Sequence, residues 1–184
     1  MKSLYFFIVI CLTIASCDNH KKIDKENFKS FDFSYNDVFS TCFSIKFNHS
    51  DTVYVRQHFA STLSDKLKNN TTYFAIITKL DREEIDSFFA NIDFSKFDSS
   101  YYEPYQDGIE YQFYINKDST NKIIYLHSDS VPKKLKSLGL WIANIKKNLD
   151  LHQIDTTISF GSTRNFLPPT VPEPPSKFTT PKVE

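Results

Sequence analysis

Ile109-Glu110-Tyr111-Gln112-Phe113-Tyr114-Ile115 is the cleanest alternation in the chain. Ile109, Tyr111, Phe113 and Ile115 fall on one face and Glu110, Gln112 and Tyr114 on the other, the period-two pattern of a strand with one face in a core. Asp118-Ser119-Thr120-Asn121 supplies turn residues, so Lys122 to His127 predicts the antiparallel partner. Upstream, Cys42 to Phe47 alternates too, with Phe43, Ile45 and Phe47 on one side and Cys42, Ser44 and Lys46 on the more polar one. Asn48-His49-Ser50-Asp51 turns the chain into Thr52 to Phe59, where Val53 and Val55 point inward and Tyr54, Arg56 and His58 outward. Thr72 to Thr78 predicts a more apolar, central strand, and Thr156 to Phe160 a last short one.

Two stretches carry helical spacing instead. Asp81 is read as a cap with Glu84 three residues on, and Ile85, Phe88, Phe89 and Ile92 form one stripe. Ser130 is read as the next cap, Pro132 sits in the first turn, and Leu135, Leu138, Ile142, Ile145 and Leu149 make the seam, with Trp141 beside it. Lys133, Lys134, Lys136, Lys146 and Lys147 are read as a solvated face. The pattern predicts an α+β fold: a mainly antiparallel sheet of five to six strands with two helices packed on one face. Successive hairpins argue against a doubly wound parallel sheet, which needs a helix after nearly every strand.

The composition agrees with one such domain, placed at residues 31–161: 184 residues, 40% hydrophobic and 16% aromatic. The 22 Lys+Arg balance 22 Asp+Glu, so the phosphate attraction that nucleic-acid binders use is missing and no nucleic-acid partner is expected. Three Gly argue against phosphate cradles built on close backbone approach.

The chain opens with Met1-Lys2-Ser3 and an apolar run from Leu4 to Ile14. As a helix that run would be roughly 16 Å long, half a hydrocarbon core, so it reads as a secretory signal (residues 1–16) rather than a span. It ends in Ile14-Ala15-Ser16-Cys17, which resembles the lipobox of bacterial lipoproteins. The resemblance implies cleavage before Cys17 and a diacylglyceryl thioether on its thiol, with further acylation making a durable anchor. The predicted partner is a membrane reached through that lipid, in the cell envelope at the outer membrane, with its periplasmic and surface faces both open. Residues 17–30 read as a flexible tether that holds the domain ~20 Å from the bilayer. Residues 162–184 carry six of the eight prolines and read as a disordered tail. With Cys11 removed and Cys17 acylated, Cys42 is left without a disulfide partner. It is read as a packed residue ahead of a nucleophile served by His49, His58 or His127.

The segment from Ser40 to Leu149 resembles a family of small lipoproteins of Bacteroidetes-type bacteria. The likeness lies in Thr41-Cys42-Phe43-Ser44-Ile45-Lys46-Phe47, a strand near Val53, a helix closing on Ile92-Asp93-Phe94, the aromatic and acidic run from Tyr101 to Asp107, a hairpin, and the entrance Pro132-Lys133-Lys134-Leu135. The family pattern has Cys-x-Gly-x-Cys-Pro before its first strand; here Val38, Ser40 and Phe43 replace the first Cys, the Gly and the Pro, which removes a paired thiol. The resemblance implies location and fold type and no activity. Exported proteins of such bacteria also carry O-glycans at Asp-Ser/Thr sites, and Thr52, Ser119, Ser130 and Thr156 match that pattern, although Asp-Ser and Asp-Thr are also turn and cap residues.

For chemistry, Asp98, Glu103 and Asp107 cluster with Tyr101, Tyr102 and Tyr105, a set suited to a cation or a sugar. No HExxH, Cys-x-x-Cys, glycine-rich phosphate loop or GxSxG occurs, so no catalytic residue, metal or other cofactor is expected. The sequence therefore reads as a lipid-anchored cell-envelope protein, a non-catalytic binding or accessory module with an envelope protein as a candidate partner. Two alternatives stay open: a small envelope hydrolase or carbohydrate-active protein using the Glu103, Asp107 and Tyr segment, and a structural spacer in an outer-membrane complex.

Overall fold

A computed structural model describes residues 29–37, 39–61, 67–104, 108–117 and 120–163. Within them the order is β1 (Ser30–Asp37), β2 (Thr41–Phe47), β3 (Thr52–Ala60), β4 (Thr71–Ile76), α1 (Lys79–Asn91), β5 (Ser100–Tyr102), β6 (Ile109–Lys117), β7 (Thr120–His127), α2 (Lys133–Asn148) and β8 (His152–Ile154). The strands form one sheet in the order β5-β7-β6-β1-β2-β3-β4-β8. Every neighbouring pair is antiparallel except β5 with β7.

The α+β class holds, but the described residues carry eight strands rather than five to six. β1 is the largest addition: it lies between β2 and β6, with Phe33 opposite both Ile45 and Phe113. Ser30, read as the end of the tether, pairs with Asn116, and the Lys29 amide donates to the Asn116 carbonyl at 2.7 Å. β5 and β8 have three residues each, too few for alternation to register. The strand expected at Thr156 to Phe160 does not form. That segment leaves β8 as an irregular strap, residues 155–163, and ends in a 3-10 turn at Gly161–Thr163.

The inward side chains of the strands form one core with the helices. Phe31, Phe33, Phe43, Ile45, Phe47, Val53, Val55, Phe113, Ile115, Ile124 and Leu126 meet Ile85 of α1 and Leu135, Leu138 and Ile142 of α2. Burying each such side chain contributes about 1.5–3 kcal/mol. Rings interlock at the centre: Phe31 lies 4.7 Å edge-on to Phe89, and Phe33 lies 5.1 Å from Phe113. A Cβ on Gly139 would sit 3.3 Å from the Tyr111 ring, so the glycine sets how closely α2 approaches the sheet.

Three local expectations are corrected. Thr78, not Asp81, caps α1: its hydroxyl accepts from the Asp81 amide at 3.1 Å and the Asp81 carboxylate accepts from the Thr78 amide at 3.3 Å. The capping box thus begins three residues earlier, where Thr78 keeps the extended backbone of the preceding strand. Ser130 does not cap α2; Pro132 takes that position without a side-chain bond, and its carbonyl accepts from Leu135 and Lys136. Lys146 is buried rather than solvated, its ammonium 5.2 Å from the Phe43 ring centroid. No helix of the described residues is long and apolar enough to cross a membrane.

Candidate functional site

The helices cover one face of the sheet, and the candidate site lies on the other. The register assembles rows of outward side chains across the strands. One row runs Tyr125, Gln112, Ser34, Ser44, Arg56, Thr72 and Ile154. The next runs Tyr114, Asp32, Lys46, Tyr54, Phe74 and His152. This face is polar, yet Asp32, Ser34 and Ser44 are fully buried.

The strap contributes to that burial and is held by polar contacts. The Gly161 amide donates to Asp32 Oδ2 at 2.5 Å, Ser34 Oγ donates to Ser162 Oγ at 2.8 Å, and Lys46 Nζ donates to the Ser159 carbonyl at 2.5 Å. Lys46 also lies 3.6 Å from Asp32 and 5.8 Å from the Phe160 ring centroid. Burial pushes the Asp32 carboxyl up to about 6, against the opposing pull of Lys46 and of the strap amides.

Between the strap and strands β3, β4 and β8 lies an open groove of about 660 Å³. Arg56, His58 and Thr72 form its floor, and Thr156, Thr157 and Ser159 belong to its strap wall. Arg56 donates through Nη1 to Thr72 Oγ1 at 3.1 Å. The His58 ring shares a 2.9 Å hydrogen bond with Ser44 Oγ, which lies 2.6 Å from Ser34 Oγ, so a hydroxyl chain runs from the groove to Ser162. Burial, aided by the Arg56 charge, lowers the His58 pKa to about 4 and leaves the ring neutral near neutral pH. A Ser-His pair suggests acyl transfer, but Ser44 has no exposed surface and its hydroxyl is tied to Ser34. Ser44 is therefore not placed for attack on a substrate in the groove.

The residues singled out from the sequence lie elsewhere. Cys17, Tyr105, Asp107 and Ser119 fall outside the described residues. The Asp98 amide donates to the Tyr101 hydroxyl at 3.0 Å, and Tyr101 packs on the core. Tyr102 stacks on His127 with centroids 5.6 Å apart. Glu103 uses its backbone amide on the His127 carbonyl at 2.7 Å and its carboxylate on the Asp129 amide at 3.3 Å. Asp98 to Glu103 therefore builds the β5 edge and its junction with β7. Thr52 is half-buried at the start of β3, whereas Ser130 and Thr156 are exposed.

Cys42 faces outward, as its alternation implies, but is fully buried beside Phe59. Burial, with the nearby Glu110 charge, pushes its thiol up to about 12. Glu110 accepts from Asn36 Nδ2 at 3.2 Å and from the Tyr125 hydroxyl at 3.0 Å. Among the described residues no three or more His, Cys, Asp or Glu side chains gather into a set that could hold a metal ion.

Sequence reasoning missed Arg56, Thr72 and the strap as a site. The available signal was the outward alternation of Ser44, Arg56 and His58, which needed the β3–β4 register to gain meaning. Comparison with family models, with curated proteins and with solved structures returns no match for this chain.

Proposed function

We propose that this chain is a lipid-anchored cell-envelope protein, moored through Cys17 at the outer membrane, and that it works as a non-catalytic binding or accessory module. The groove between Arg56, Thr72 and the strap is its ligand site. The observation that carries the binding part is that groove: at about 660 Å³ it lies within the ordinary range for small-ligand sites, and its floor sits on a rigid sheet. The anchoring part rests on the signal and lipobox pattern from Met1 to Cys17 and on the resemblance to small Bacteroidetes-type lipoproteins. An envelope protein remains the partner class this placement favours.

The hydrolase alternative loses support from Glu103, whose carboxylate is engaged by the Asp129 amide. Metabolic labelling with a fatty-acid probe tests the anchor: wild type takes up label and partitions with membranes, and Cys17→Ala does neither. A wild type as unlabelled as Cys17→Ala overturns the placement.

A further inference from the structure

We infer that the ligand of this groove is an acidic saccharide whose carboxylate is gripped by the Arg56 guanidinium. The inference rests on the proposed binding role of the groove and names its ligand class. Arg56 lies in the middle of the outer face, between Ser44 and Thr72 in register, and is half-buried. No carboxylate of the described residues forms an ion pair with it, and its hydrogen bond to Thr72 uses one donor. Asp155 also lines the groove and stays beyond ion-pairing distance. A half-buried guanidinium with no counter-charge among the described residues gains most from a carboxylate offered in its plane, where two parallel N–H···O bonds form.

The rest of the lining selects a sugar to carry that carboxylate. Thr71, Gln153, Thr156, Thr157 and Ser159 bring hydroxyl and amide groups that both donate and accept, as sugar hydroxyls do. The groove opens onto a sheet face, and β4 is already paired with β8 from Thr72 to Phe74, so only the three-residue edge of β8 is left for a peptide strand to join. Thr72 fixes the guanidinium, and the neutral His58 ring adds no competing charge.

Calorimetric titration of the full lipidated chain in detergent tests this, with tri-galacturonate, its methyl-esterified neutral counterpart, and a peptide ending in a free carboxylate as probes. Tri-galacturonate is expected to bind about 10- to 100-fold more tightly than the ester, the range that a hydrogen-bonded charged group supplies. Arg56→Gln should erase that preference and Arg56→Lys should recover only part of it, while each variant keeps the wild-type urea midpoint. Thr72→Val, which removes the hydroxyl that holds the guanidinium, should weaken the acid more than the ester. Equal affinity for acid and ester, binding of the peptide alone, no binding of any probe, or an unchanged Arg56→Gln each overturns the inference. Acyl chains found on Cys17 by mass in the same sample show that the anchoring proposal survives such a failure, and their absence shows that it does not.

Discussion

Replacing Asp32 by Asn and His58 by Gln, separately and together, should expose two opposed pH gradients of stability that cancel in the wild type. Asp32 is pushed up from 3.8 to about 6, mainly by burial beneath the strap. The folded state therefore holds its proton more tightly than the unfolded state. The stabilisation is complete below about pH 4 and is lost as pH rises through about 6. At about 1.4 kcal/mol per pKa unit, the loss is about 3 kcal/mol. His58 is pulled down from 6.5 to about 4, by burial first and the Arg56 charge second. Its folded state prefers the neutral ring, so its contribution is complete above about pH 6.5 and is lost as pH falls toward 4, again by about 3 kcal/mol. The lowered pKa of Asp93 acts below 3.8 and stays outside this window.

Urea unfolding of the full chain at intervals from about pH 4 to 7 reads both terms, with a constant m-value as the check on two-state behaviour. Wild type should be nearly flat. Asp32→Asn leaves the histidine term alone, so stability should rise by about 3 kcal/mol from pH 4 to 7. His58→Gln leaves the carboxyl term alone, so stability should fall by a similar amount. The double variant should be flat again, because each group shifts mainly through its own burial and the two effects add. Single variants as flat as the wild type would refute the reasoning, since neither group would then differ between the folded and unfolded states.

Two further outcomes test the outer face. A Cβ on Gly161 would sit 2.6 Å from Tyr114 Cγ, against a ring that cannot swing aside as a flexible side-chain end can. Gly161→Ala should cost about 1–3 kcal/mol in urea unfolding and speed hydrogen exchange at the Ser162 amide, and unchanged exchange would show that the strap does not pack there. Cys42 has no exposed surface and a thiol pushed up to about 12, so a disulfide reagent at neutral pH should label it only at the rate of unfolding. Full labelling of native protein within minutes would contradict that burial.

Where alternation is strong and both flanks carry turn residues, the sequence speaks plainly. β2, β3, β6 and β7 appear as Phe43-Ile45-Phe47, Val53-Val55, Tyr111-Phe113-Ile115 and their partners require. β1 alternates just as regularly through Phe31, Phe33 and Tyr35, but its other residues are Asp32, Ser34 and Asn36, types that favour turns, and it follows a polar stretch. Its central position comes from β6, whose Phe113 faces Phe33 across a long stretch of chain. Lys146 shows the same limit: charge pattern assigns it to solvent, while the aromatic ring of Phe43 draws its aliphatic stem under cover. The candidate site was hidden for a related reason. Ser34 meets Ser162 across 128 positions, and Arg56 meets Thr72 across 16, so no window of local periodicity contains the groove.

The two faces of the sheet divide the work between unlike forces. On the helix side, aromatic and aliphatic packing is non-directional and large, and it fixes the strands that carry Ser44, Arg56 and Thr72. On the strap side, hydrogen bonds from Gly161, Ser34 and Lys46 hold an irregular segment, each bond adding about 1 kcal/mol net. The strap can therefore open at a lower cost than the core can unfold. A ligand that touches both Arg56 on the sheet and Ser159 on the strap binds the closed form alone and stabilises it by mass action. Under the proposed binding role, the contacts that hold a ligand would also complete the strap's attachment, because the groove lies where the sheet meets the strap.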